Sequence, residues 1–321
     1  MKISFRGIWD VLKDSFRKFG NDRIMKLSAA LAYYTVFSVG PLLIVVVFIC
    51  SFFFGKEAIE GSVYGQIQSF VGHDAALQLQ EIIKNAAIAG KGKVAAIIGI
   101  VTLVIGATTM FAEMQDSINM IWGLKTKPKK SAWIILLKNR LLSFGVIASL
   151  GFLLLVSLSV SAVIEAISTR LQAQFPELTV VALYILNIII TFVIISALFG
   201  VIFRVLPDAK IKWKDVMAGA VATAVLFMVG KFAISFYISK SNIGTTYGTA
   251  GSLVILLVWI YYSSVILYFG AEFTKAYAIK YGDSIRPNEY AIVTQVVEVE
   301  RGKKSLQQVD KEDKTEEPKK H

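Results

Sequence analysis

Six long apolar stretches constrain this chain more than any other feature. They run roughly over Ala29–Phe54, Val94–Ala112, Leu141–Ile164, Val180–Phe203, Val216–Ile238 and Thr249–Tyr277. Each is near or above the ~20 residues a helix needs to cross a bilayer. Hydrocarbon offers a backbone no hydrogen-bond partner, so a spanning segment must satisfy its own N–H and C=O groups and becomes a helix. A membrane β-barrel would show short alternating segments, and these runs do not alternate. The expected fold class is all-α: a polytopic membrane protein with six transmembrane helices. With 55% hydrophobic and 18% charged residues, the chain of 321 is too apolar for an ordinary soluble domain.

Basic residues give the expected orientation. Alternate connections carry 27 of the 34 Lys and Arg residues, in segments 1–27, 113–140 and 204–214 and in the tail from Lys275. The opposite side has six: Lys56, Lys84, Lys91, Lys93, Arg170 and Lys240. The positive-inside rule then places both termini in the cytoplasm, and an even number of spans agrees. The net charge of +11 needs no nucleic acid under this reading. It is the bias of a membrane protein, with attraction to anionic lipid headgroups added.

Three regions follow: a cytoplasmic amphipathic helix over 1–27, a six-helix membrane domain over 28–281, and a largely disordered cytoplasmic tail over 282–321. In the first, Phe5, Trp9, Leu12, Phe16 and Phe19 recur at helical spacing, with Lys2, Arg6, Lys13, Arg17 and Lys18 between them. Such a helix lies on the membrane or packs on the bundle. An outer loop over 55–93 contains two short amphipathic helical patterns. A β-favouring patch covers Ala291–Val299, and beyond it Lys, Glu, Asp and Gln dominate. The first apolar run is too long for a cleavable signal and reads as an uncleaved anchor. Cys50 is the only cysteine, so no intrachain disulfide forms.

Enzyme chemistry finds little to work with. There are two histidines, His73 and His321, beside the one cysteine. A His/Cys metal site is therefore not expected, and no nucleophile elbow, phosphate-binding loop or dinucleotide fingerprint occurs. We expect no catalytic residue, cofactor or metal.

Polar residues inside the spans carry the functional signal, because they are costly in hydrocarbon. Lys231 lies inside the fifth span. It either faces an internal cavity, to bind an anionic head group or pair with Glu165, or snorkels to the outer interface. Glu272, near the inner end of the sixth span, either pairs with Arg204 or Lys275 or belongs to an ion pathway. Asn187 and Thr191, one turn apart in the fourth span, suit interhelical hydrogen bonds. Pro41 interrupts the first span, which opens on Tyr33 and Tyr34. Gly244, Gly248 and Gly251, with Tyr247 among them, precede the sixth span and suit either irregular backbone or a tight turn. Glu113, Asp116 and Asn119 recur at three-residue steps on one face of a helical extension. Arg204, Asp208, Glu113 and Asp116 are candidates for structural ion pairs.

Several of these segments together resemble the YihY/BrkB family of bacterial inner-membrane proteins, once mislabelled as ribonuclease BN. The matching pieces are Ala29-Ala-Leu-Ala-Tyr33-Tyr34-Thr with Ser38 and Pro41, Phe203-Arg204-Val-Leu-Pro207-Asp208, and Trp213 with Gly219-Ala220. Tyr247-Gly248, Trp259-x-x-Tyr262 and Gly270-Ala271-Glu272 complete the set. The resemblance covers about residues 10–280. It implies six helices in the bacterial cytoplasmic membrane and roles connected with envelope integrity, serum resistance and movement of lipid or solute. The ribonuclease label does not suit these residues, since a zinc nuclease needs clustered His and Asp ligands.

The function expected is a transporter, flippase or permeation pathway for a lipid-like or small polar substrate. Tyr33, Tyr34, Pro41, Asn187, Lys231, Tyr247, Gly248 and Glu272 are its candidate pathway residues. The alternative is a non-transporting scaffold for envelope or cell-division assemblies. Membrane lipids are the expected partners, and self-association into a homo-oligomer is left open.

Overall fold

The computed structural model describes residues 4–38, 77, 93–126, 176–241, 251–282, 285–288 and 291–294. Apart from residues 77 and 93, the outer loop over 55–93 lies outside the described residues, as do the third apolar stretch, Pro41, Tyr247, Gly248, Cys50 and Glu165. So does the tail beyond 294.

Helix α1 (Phe5–Asn21) is followed by a sharp elbow at Asp22 and Arg23, where Arg23 has a left-handed φ of 52°. Helix α2 (24–38) continues from it. Next come α3 (Lys93–Trp122), β1 (Leu124–Thr126), α4 (Pro176–Val205), β2 (Ala209–Lys210), α5 (Trp213–Lys240), α6 (Gly251–Tyr281), β3 (Arg286–Pro287) and β4 (Ala291–Val293). Among the described residues, three stretches are long and apolar enough to cross a membrane: Val181–Val205, Trp213–Ile238 and Leu253–Tyr281. Several of their large apolar side chains point outward, with Val229, Phe232 and Phe236 at 65%, 66% and 67% exposure. Water would penalise that surface and lipid would not.

Small residues let α5 and α6 approach closely. A Cβ added to Gly219 would come within 1.9 Å of Thr274 Oγ1, and one on Gly270 within 2.1 Å of Thr223 Oγ1. One on Gly230 would come within 2.1 Å of the Tyr262 hydroxyl. Residue numbers rise on α5 as they fall on α6, so the two helices are antiparallel. The threonine hydroxyls donate within their own helices, Thr223 to Gly219 O and Thr274 to Gly270 O, both at 2.7 Å. With no free donor left, each side chain can pack against its neighbour's glycine. This is how membrane helices associate when the hydrophobic effect cannot draw them together. Phe199, Phe227 and Trp259 extend the packing across α4, α5 and α6, with successive centroids 5.9 and 6.0 Å apart.

Helix α1 packs on α6 and keeps an exposed aromatic face. Val11 is buried with Phe273 and Ala276, Gly7 sits against Tyr281, and Phe16 meets Phe269 at 4.8 Å. Asp10 and Lys280 form an ion pair at 2.7 Å, which holds the Asp10 carboxyl below its ordinary range. Trp9 and Phe16 remain 61% and 62% exposed. The packing reading holds on one face of this helix, and the other face keeps its aromatic side chains exposed.

The C-terminal segment is more ordered than the expected tail. β4 pairs antiparallel with β1, and β3 pairs antiparallel with β2. β3 and β4 thus tie together the segments that follow α3 and α4. Gly123 makes the first ribbon possible: its φ of +70° turns the chain out of α3, a conformation that suits glycine. Its carbonyl accepts the Thr294 N–H at 2.7 Å.

Gly219→Ala is expected to cost about 1–3 kcal/mol of stability, because Thr274 has no room to retreat. Gly20→Ala, with open space around it, should be neutral or slightly stabilising. Thermal unfolding of both variants in detergent micelles checks this, and equal midpoints would contradict the close packing.

Candidate functional site

The polar residues gather at the basic end of the bundle, where α3 runs ten residues past its apolar part. Gln115 and Asn119 are one turn apart there, so both side chains reach the same neighbour. That neighbour is Asp208, only 4% exposed. Gln115 Nε2 donates to Asp208 Oδ1 at 3.1 Å and Asn119 Nδ2 donates to Oδ2 at 2.9 Å. Asn119 Oδ1 accepts the Asp208 N–H at 2.8 Å, and the Asp208 carbonyl accepts the Asn288 N–H at 2.9 Å. Side chain and backbone of this buried residue are both engaged, as burial of a polar residue requires.

This corrects the expected ion pairing. The described hydrogen-bond partners of the Asp208 carboxylate are amides rather than a cation. Arg204 donates to the Ile211 carbonyl and lies 5.9 Å from the centre of the Trp213 ring. Lys275 donates to the Ile121 carbonyl. Neither is hydrogen-bonded to Glu272. Glu113 is half-buried and Asp116 keeps an exposed edge. Loss of water, then the Asp116 charge, pushes the Glu113 pKa above its ordinary value. Loss of water, then the Asp208 charge, does the same to Asp116.

Deeper in the bundle lies a second group. Glu272 is fully buried, and neither of its carboxylate oxygens has a hydrogen-bond partner among the described residues. The same holds for the Tyr268 hydroxyl, one turn away on α6, and for Ser117 Oγ and Ser28 Oγ. Ser117 stands beside the Tyr268 hydroxyl, and Glu113 also acts on it. Asp22, at the α1–α2 elbow, comes within electrostatic reach of Glu272 without hydrogen bonding to it. Trp122 fixes the backbone here, with Nε1 donating to the Ala271 carbonyl at 3.1 Å.

The remaining candidates do not join this cluster. Gly219 meets Thr274 and Gly230 meets Tyr262, so Lys231 lies level with about residue 261 of α6. That is about ten residues, or ~15 Å, further along the bundle than Glu272. Lys231 is half-buried. Asn187 is exposed on α4, and Thr191 is half-buried. Tyr33 is 57% exposed and meets the Tyr34 and Phe37 rings at 5.6 and 4.9 Å. Sequence reasoning passed over Gln115, Ser117, Tyr268 and Asp22. The four-residue spacing of Gln115 and Asn119 was the available signal for the first.

Long apolar helices with outward-facing apolar side chains, closed at one end by a polar network, define a helical membrane protein. The chain belongs to the family described as virulence factor BrkB, which matches residues 15–292. Its relatives carry membrane names. A UPF0761 membrane protein of Stenotrophomonas maltophilia (strain K279a) is 31% identical over 268 residues, covering 82% of this chain and 59% of its own. One of Vibrio vulnificus (strain YJ016) is 28% identical over 273 residues, covering 81% and 79%. A third, of Ralstonia nicotianae, is 27% identical over 267 residues, covering 80% and 56%. The chain thus spans less than two thirds of several relatives it matches. No solved structure matches it.

Asn119→Ala would leave the Asp208 N–H unpaired and remove one of two donors to its carboxylate. We expect a cost of about 1–3 kcal/mol, read as a lower thermal midpoint in micelles; an unchanged midpoint would contradict the network. A second prediction concerns pH. The folded-state pKa of Asp116 lies above the unfolded value, so the folded form holds the extra proton between the two. Its stability contribution is gained as pH falls through the folded pKa and lost above it. Asp116→Asn should therefore raise the midpoint at pH 7, with the difference shrinking toward about pH 4. A difference that grows on acidification would contradict it.

Proposed function

We propose that the protein is a permeation pathway of the transporter or flippase kind for a lipid-like or small polar substrate. It acts in the bacterial cytoplasmic membrane, with six spans, both termini in the cytoplasm and no nucleotide motor of its own. The observation that carries this reading is Glu272. A fully buried carboxylate with no hydrogen-bond donor among the described residues, inside a helix apolar enough to span, costs several kcal/mol. A plain anchor gains nothing from that cost, whereas ion and substrate pathways commonly place ionisable groups in this way. Lys231, deeper along the bundle, supplies a cation for an anionic head group. The hydroxyls of Tyr268 and Ser117, without hydrogen-bond partners among the described residues, add polar surface between the helices. The activity is linked to envelope integrity through its effect on lipid or solute distribution.

A scaffold is the second reading, favoured by the exposed Trp9 and Phe16 on α1, which would hold a partner or the membrane surface. Removing residues 300–321 separates the two: a scaffold that uses the tail fails, while a pathway keeps working.

Reconstitution into liposomes tests the leading reading. The protein should move labelled phospholipid or a small polar solute faster than protein-free liposomes do, and Lys231→Ala should slow that movement. No movement of either class, with full cellular function in Lys231→Ala, would refute it.

A further inference from the structure

The charges near Glu272 do not neutralise it. Lys275 lies closest in sequence, but its ammonium donates to the Ile121 carbonyl of α3. Lys18 of α1 also acts on Glu272, yet it is paired with Asp14 at 2.9 Å. Asp22, the third charged group, has the same sign as Glu272. From α3, Glu113 acts on Tyr268, one turn from Glu272 on α6. The described surroundings thus give the Glu272 carboxylate two distracted cations and one like charge. One turn along α6 the Tyr268 hydroxyl stands beside Ser117, and neither oxygen has a hydrogen-bond partner among the described residues. A buried carboxylate requires a counter-charge or a hydrogen-bond donor. Oxygen atoms are the ligands that small hard cations prefer.

We propose that Glu272, with Tyr268 and Ser117, forms an exchangeable site for a small monovalent cation, a proton or a sodium ion, reached past Asp22. The cation's positive charge meets the Glu272 carboxylate, and the two hydroxyl oxygens complete its shell or relay the proton. Asp22 fits the role of approach residue. It is half-buried at the elbow between α1 and α2, so it faces both solvent and Glu272. Trp122 and Lys275 both anchor α3 to α6 beside Glu272, one at Ala271 and the other at Ile121. Occupancy of the site therefore bears directly on how those two helices hold together. The site rests on the permeation reading only for its purpose, as the coupling ion of the pathway; its occupancy is an equilibrium property that exists without flux.

The experiment uses the full-length protein in lipid nanodiscs and infrared difference spectroscopy of the carboxyl region. One arm exchanges choline chloride for sodium chloride at constant pH and ionic strength. The other steps the pH with sodium absent. A carboxyl band that responds in either arm, and that Glu272→Gln removes, supports the site; the responding arm names the ion. Tyr268→Phe and Ser117→Ala guard against a Glu272 variant that fails to fold. Each removes one oxygen ligand and should weaken the apparent affinity by roughly tenfold or less, on the scale of one lost hydrogen bond to a charged group. A response equal in wild type and Glu272→Gln, or none in either arm, overturns the proposal. Because no substrate is present, failure of the permeation reading in liposomes leaves this outcome unaffected, and the reverse also holds.

Discussion

Every backbone polar group in hydrocarbon must find its partner within the protein, and this structure follows from that requirement. Inside the apolar stretches a helix satisfies it locally. At the basic end, where helices stop, the requirement passes to neighbouring segments. There the structure uses two short ribbons, β1 with β4 and β2 with β3. It adds Asp208, whose backbone N–H and C=O are both taken up by other elements. Helix α3 supplies side chains to this end because it continues to Trp122.

The same requirement explains how the helices hold one another. Lipid removes the hydrophobic drive for helix pairing, so fit and hydrogen bonding must serve instead. Glycine against threonine at two levels brings α5 and α6 together without an exposed hydroxyl. Glu272 departs from this economy. One turn from Tyr268 and beside the Trp122 anchor, it holds two acceptor oxygens with no described donor. Buried polar groups are nearly always satisfied, and this exception is the observation on which the proposed pathway rests.

Much of this was legible in the sequence, and the limits have physical causes. Helix length and apolar content depend on local residues, so the three described apolar helices long enough to span could be read directly, as could α1 from its aromatic spacing. The family, too, was visible in short segments such as Gly270-Ala271-Glu272. Asp208 was expected to pair with a cation because the nearby sequence offers Arg204 and no amide. Its amide partners lie 89 and 93 residues away in the chain. β3 and β4 are two and three residues long, too short for periodicity to reveal. Lys231 and Glu272 were expected at different depths of one candidate pathway, and the antiparallel register of α5 and α6 sets them about ten residues apart along the bundle.

The account depends on the C-terminal segment closing the basic end through the β1–β4 and β2–β3 ribbons. Lys125 and Ile292 are register partners in the β1–β4 ribbon, and both are exposed. Directly opposed Cα atoms of an antiparallel pair lie ~4.5–5.5 Å apart, within disulfide range. The decisive measurement is cross-linking of Lys125→Cys/Ile292→Cys in the full-length, membrane-embedded protein with Cys50 replaced by Ser. We predict rapid intramolecular disulfide formation under mild oxidation, with little for a Lys125→Cys/Val293→Cys pair one step out of register. Absence of the Lys125–Ile292 link, or equal linking of the two pairs, would contradict the account.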